Sequence, residues 1–320
     1  MKTTLISTLV IAALLAIFVP MVANLHTYSI VITVLIWIMF GFSWNLLGGY
    51  TGQVSFGHAM FLGIGAYTSM LIVNALNLDM ALTLLIGGLL AGLVSLAVGF
   101  LIFRLKGPYF ALGTLAFAEI IHIVARNMKG VTNGGEGIML MNRPTFLGIQ
   151  IFNKTEYFYL ALLLATLVIL FCAYLIRSKT GYSFIAVRED QDSAEAMGMN
   201  STLVKSKALF ISAFLAGVAG GFYGLYNKFI DPDMTLSVHM SVEMIFVTVI
   251  GGLGTIAGPV IGAAVLISLQ EYLKSLDFLQ AFPSLYLIVY GLLIMLVIVY
   301  LPGGLVEGLR KIRACVKKES

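Results

Sequence analysis

The chain has 320 residues, 60% of them hydrophobic and only 11% charged, with a formal net charge of +4. A soluble domain carries about 25% charged residues, so this chain has too few to cover a water-facing fold, and lipid must replace water around much of it. The charges cluster at the ends of apolar runs, which argues against a nucleic-acid partner. Cys172 in an apolar run and Cys315 in a basic tail make neither a disulfide framework nor a thiolate metal site.

Apolar runs fall at 4–20, 27–47, 57–73, 80–103, 108–125, 156–176, 208–228, 238–250, 257–273 and 284–301. A straight helical crossing needs roughly 20 residues, so the pattern predicts an all-α polytopic membrane protein with about ten transmembrane or part-membrane helices, some short or Gly/Pro-broken. Residues 1–320 are expected to form a single transmembrane domain. The first run, MKTTLISTLVIAALLAIFVP, has the look of a signal peptide. It lacks a small-residue cleavage site and is followed by more spans, so a retained first helix is expected.

The stretch GGYTGQVSFGHAMFLGIGAY, from Gly48 to Tyr67, opens with glycines suited to a tight turn. Gln53, Ser55 and His58 then place polar groups near a membrane edge, where they can line a translocation path. For His58 a structural hydrogen-bonding role is the preferred reading over the path, and alone it makes no metal site. In the 108–125 run, Glu119 and His122 share a helix face. A carboxylate at the bilayer centre costs about 2.5–3.5 kcal/mol on insertion scales, so Glu119 must face a cavity, a partner or the interface. Glu243 in the 238–250 run raises the same question. Both acids are candidates for the path or for helix packing. No HExxH arrangement or third ligand supports zinc at Glu119 and His122.

Between 126 and 155 lies a Gly-rich loop of mixed polarity, suited to capping a vestibule, meeting a soluble partner, or simply covering the surface. Next comes a polar island, Arg177 to Lys207, too charged to cross lipid. It is expected to form a short helix on the membrane surface. Ser183, Ala186, Glu189, Asp190 and Ala194 would meet a soluble partner, and Gly198 would end or bend the helix. Further on, Gly217, Gly220, Gly221 and Gly224 give two GxxxG spacings that suit close helix crossing, within the chain or between subunits. The 238–250 run is short for a crossing. It is either a half-helix or joined to 257–273 through GGLGTIAGP, as a broken segment or a tight interhelical turn. That Gly-rich stretch shares a texture with the one at 48–67, by faint internal repetition or by chance.

With ten crossings and both termini cytoplasmic, Arg126, Lys129, Arg143, Lys154, Lys228 and Lys274 lie outside, and the other 13 of the 19 Lys and Arg residues lie inside. That bias obeys the positive-inside rule and puts the island and the basic tail in the cytoplasm.

The blocks GGYTGQVSFGHAMFLGIGAY, GPYFALGTLAFAEI, TNGGEGI, GYSFIAVREDQDSAEAMGMN and GGLGTIAGPVIGA, in this order from about residue 30 to 305, resemble the M-type permeases of bacterial branched-chain amino acid ABC importers. The resemblance implies an inner-membrane permease paired with an H-type permease. It also implies two cytoplasmic ATPase subunits, which carry ATP and Mg, and an extracytoplasmic amino-acid-binding protein. It places the coupling segment within Ser183 to Asn200. The chain has no GxxxxGK[ST] loop, so no cofactor and no ATPase site are expected on it, and it is not expected to be an enzyme. Related permeases carry urea or short-chain amides, which stays an alternative for the substrate. An ion-coupled secondary carrier, with Glu119 or Glu243 titrating, is the alternative of a different class.

Overall fold

A computed structural model of the protein describes residues 2–22, 24–105, 107–275, 283–301 and 303–308. Cys315 and six cations of the charge count, Lys106, Arg310, Lys311, Arg313, Lys317 and Lys318, lie outside the described residues.

The helices are α1 (Lys2–Val22), α2 (Leu25–Asn45), α3 (His58–Leu76), α4 (Met80–Ile102), α5 (Pro108–Asn127), α6 (Lys129–Thr132), α7 (Lys154–Ile176), α8 (Lys179–Glu189), α9 (Gln191–Ala196), α10 (Ser201–Asn227), α11 (Pro232–Thr235), α12 (Val238–Gly252), α13 (Ala257–Ser275) and α14 (Pro283–Tyr300). Local chemistry sets many of their ends. Asp79 caps α4 by accepting from the Ala81 amide, Pro108 opens α5, and Asn153 with Glu156 forms a capping box on α7. Asn77 and Lys228 close α3 and α10 in the left-handed conformation.

Seven helices among the described residues are long and apolar enough to cross a membrane: α2 with the π-turn Leu46–Tyr50, α3, α4, α5, α7, α10, and α11 joined to α12. Thr8–Met21 and Ile288–Tyr300 are shorter apolar helices. The protein is an all-α polytopic membrane protein.

The connections gather at two ends. At one, the turn after α2, helix α8 and the turn between α12 and α13 meet. At the other, Asn74 and Asp79 bind the backbone of the 139–148 loop, and Ile138 pairs with Ile230 in a two-residue antiparallel ladder. Helix α10 runs through the centre against α2, α3 and α4. Its glycines permit this. A Cβ on Gly217 would lie 2.7 Å from that of Ala91 and 2.9 Å from the Gly87 carbonyl, and one on Gly220 would lie 2.1 Å from the Leu62 carbonyl. Gly221 and Gly224 face Ser69 and Met70 in the same way. These close crossings are therefore within the chain.

Two expectations change in detail. The 238–250 run is extended at its start by α11, giving a segment of 21 residues, Pro232–Gly252, apolar enough to cross a membrane. Helices α12 and α13 then pack antiparallel across a tight turn, with Gly251 against Gly258 and Gly262 against Val247. The polar island is not one short helix. Asp190 is extended (φ −157°, ψ 110°) and separates α8 from α9, because its carboxylate caps α9 by accepting from the Ser193 amide at 3.0 Å. Helix α10 then begins inside the island, at Ser201.

Candidate coupling and translocation site

The island is anchored to the bundle by Arg188. Its guanidinium donates to the Gly49 carbonyl at 2.8 Å. Its stem lies over Gly52 (φ +71°), where an added Cβ would come within 3.1 Å of Arg188 Cγ. At Gly254 (φ +67°) the backbone conformation favours glycine, and an added Cβ would sit 2.6 Å from Arg188 Nη1 and displace the guanidinium. Asn45, fully buried at the end of α2, completes the junction. Its Oδ1 accepts from the Gly254 amide and its Nδ2 donates to the Thr255 carbonyl, both at 2.9 Å. The two Gly-rich stretches thus meet each other and the island at one clasp.

A second tie holds α9 to α10. Lys205, 4% exposed, donates to Gln191 Oε1 at 2.8 Å, and Gln191 Nε2 and Ser201 Oγ both donate to Glu195 Oε1. Helices α8 and α9 are thus bonded to the turn after α2 and to the central helix α10.

Tyr182, Glu189 and Met197 project outward at 66%, 71% and 71% exposure, and Asp190 and Gly198 are exposed beside them. Ser183 and Ala186 are half-buried, and Ser183 Oγ donates to the Thr180 carbonyl. Ala194 departs from expectation. It is 1% exposed and packs toward the bundle, since the break at Asp190 turns that side of α9 inward. The Asp190 carboxyl is held below the usual carboxylate range by its bonds to Ser193.

After the π-turn the chain doubles back, and residues 51–57 run as irregular backbone beside α2. Side chains satisfy its polar groups: Trp44 Nε1 donates to the Ser55 carbonyl at 2.7 Å, the Phe56 amide to Thr114 Oγ1 at 3.0 Å, and the Gly57 amide to Ser55 Oγ at 3.2 Å. Ser55 and His58 are fully buried and Gln53 is half-buried. His58 Nε2 meets Ser212 Oγ at 2.6 Å, and Ser212 donates its proton to the Ser43 carbonyl at 2.5 Å. The imidazole must then donate from Nε2, so this chain of bonds ties α3 to α10 and α2. Ser55 and His58 thus make internal hydrogen bonds in this structure.

Glu119 and His122 gain a partner that the sequence did not reveal. His122 lies 3.5 Å from Glu119 on its own helix and 2.8 Å from Asp233 on α11, and Asp233 lies 3.6 Å from Arg126. No metal-binding group of three His, Cys, Asp or Glu side chains occurs among the described residues. Glu243, its side chain 13% exposed, stands 3.8 Å from His239 on α12. An apolar cavity of about 790 Å³ opens between α1, α2, α7 and α13, floored by Tyr50, Gly254 and Thr255 at the clasp. None of Gln53, Ser55, His58, Glu119 or Glu243 lines it.

Residues 26–298 match the model of a family described as branched-chain amino acid transport system / permease component. The chain belongs to this family. It is 28% identical to the high-affinity branched-chain amino acid transport system permease protein LivM of Escherichia coli (strain K12), over 93% of this chain and 74% of that protein. It is 23% identical to the probable branched-chain amino acid transport permease protein LivM of Methanocaldococcus jannaschii, over 70% of this chain and 68% of that one. It is 26% identical to LivH of E. coli (strain K12), over 82% and 88%. No solved structure matches the chain. The protein is thus a membrane permease subunit of the branched-chain amino acid type of ABC importer, a transport family and not an enzyme family. Membership implies a partner permease, ATPase subunits and a binding protein.

Three residues that build the site were missed by sequence reasoning. Arg188 was counted only as a cytoplasmic charge, although an arginine at the end of the island's first helix was a signal. Asn45, a buried amide just before a Gly pair, was a second. Asp233 had no local signal, because its role depends on α11 folding over α5.

Proposed function

We propose that this chain is the M-type subunit of an importer for leucine, isoleucine and valine, working beside an H-type permease, two cytoplasmic ATPases and an extracytoplasmic binding protein. Similarity to LivM over 93% of the chain supports the M-type assignment. The α8–α9 segment lies on the cytoplasmic side, with both termini, and docks the ATPase through the surface around Tyr182, Glu189 and Met197.

The observation that carries the coupling role is the Arg188 clasp, which joins α8 to Gly49 and Gly254. In the proposed cycle the loaded binding protein docks outside and ATP closes the ATPase pair. That motion pushes α8 and α9. The clasp passes it to α2 and to the α12–α13 turn, while Gln191, Glu195 and Lys205 pass it to α10. Access to the path then switches from outside to inside.

Uptake into proteoliposomes holding the assembled complex tests this. Leucine should accumulate only with ATP and binding protein, and excess isoleucine or valine should compete while urea should not. Leucine uptake that persists without ATP, or accumulation of urea in its place, would contradict the proposal.

A further inference from the structure

Helix α5 meets the rest of the chain along a narrow seam, its buried residues being Phe110, Thr114, Ala118 and Ala125. At 3.6 residues per turn these fall within about a quarter-turn of one another. Ile120 and Val124, 54% and 51% exposed, occupy one flank and suit lipid. On the other flank stand Glu119, His122 and Arg126.

Glu119 sits deep in the span, roughly 16 Å along the helix from Pro108 and 12 Å from Asn127. Its side chain is nevertheless 46% exposed. A carboxylate at that depth does not face hydrocarbon. It faces a water-filled space or another protein. Asp233 reaches across from α11 to His122 and Arg126, so both signs of charge line the same flank within two helical turns. A small zwitterion needs a carboxylate for its ammonium and a cation for its own carboxylate, and this flank offers Glu119 and Arg126 at successive depths.

We infer that this flank of α5, with Asp233 of α11, is a wall of the aqueous route followed by the zwitterionic solute, and that the irregular 51–57 segment supports the bundle. The inference rests on the import function proposed above.

Thiol labelling of the assembled complex in membrane vesicles tests it. Single cysteines are placed at Glu119, His122, Ile120 and Val124 in a chain whose Cys172 and Cys315 are replaced by serine. A charged, membrane-impermeant methanethiosulfonate should modify E119C and H122C about tenfold faster or more than I120C and V124C, since only thiols in water ionise and meet the reagent. Leucine with binding protein and ATP should slow the first pair and leave the second unchanged. Leucine uptake by each variant is measured alongside, and Glu119→Gln provides a variant that keeps the side-chain shape. If uptake persists while E119C and H122C label as slowly as I120C, or label fast without protection by leucine, the route is overturned and the import function stands. If the parent chain takes up no leucine, the import function itself has failed.

Discussion

Single side chains decide the joints of this molecule. Asp190 both breaks the island and starts α9, by bonding its carboxylate to the Ser193 amide. That bond holds its pKa below the ordinary carboxylate value. A depressed acid adds stability that is full above the unfolded-state pKa and is lost as pH falls through the folded-state value. Acidification below the usual carboxylate range should therefore loosen α9, and Asp190→Ala should loosen it at neutral pH. Asp190→Asn, which keeps a capping oxygen, should protect α9 at both. Amide hydrogen exchange over Gln191–Ala196 in nanodiscs checks this, each variant being compared with the parent at one pH. Equal protection in the Ala and Asn variants would remove the cap from the account.

At the scale of elements, backbone approach at glycine sets the packing of α3, α4 and α10. A Cβ on Gly65 would lie 2.0 Å from the Gly217 carbonyl, a contact with backbone that cannot swing aside. Gly65→Val should cost about 1–3 kcal/mol or more, as overpacking does, and lower the melting temperature in detergent. Gly130→Ala, where nothing lies within 4 Å of the added carbon, should leave it unchanged. Equal melting of the two variants would show that the crossing is looser than described. The helices themselves were legible in the sequence because apolar runs of near-bilayer length leave little choice of structure. The GxxxG spacings marked α10 as a close-packing helix, but spacing alone did not show that its partners are α3 and α4. The island was visible as a polar break, yet its division at Asp190 was not, because that depends on which backbone amide the carboxylate reaches. Likewise the partner of His58 was not legible, because Ser212 is distant from it in sequence.

For the molecule as a whole, the clasp gives the fold a mechanical logic. Arg188, Gly254 and the Asn45–Gly49 stretch are far apart in sequence and meet at one end of the bundle. In the proposed cycle, a push on α8 would reach α2 and the α12–α13 turn through these contacts. Arg188 is about one-third exposed, so its hydrogen bond contributes only a modest share of stability, on the order of 1 kcal/mol. Its removal should impair power transfer more than folding. The most direct measurement is ATP-driven leucine uptake by the Arg188→Ala complex, made alongside ATPase co-purification and ATP hydrolysis. The clasp predicts that the ATPases stay bound and hydrolyse ATP while uptake falls about tenfold, equivalent to about 1.4 kcal/mol of lost coupling. Uptake per ATP equal to that of the parent complex would contradict it.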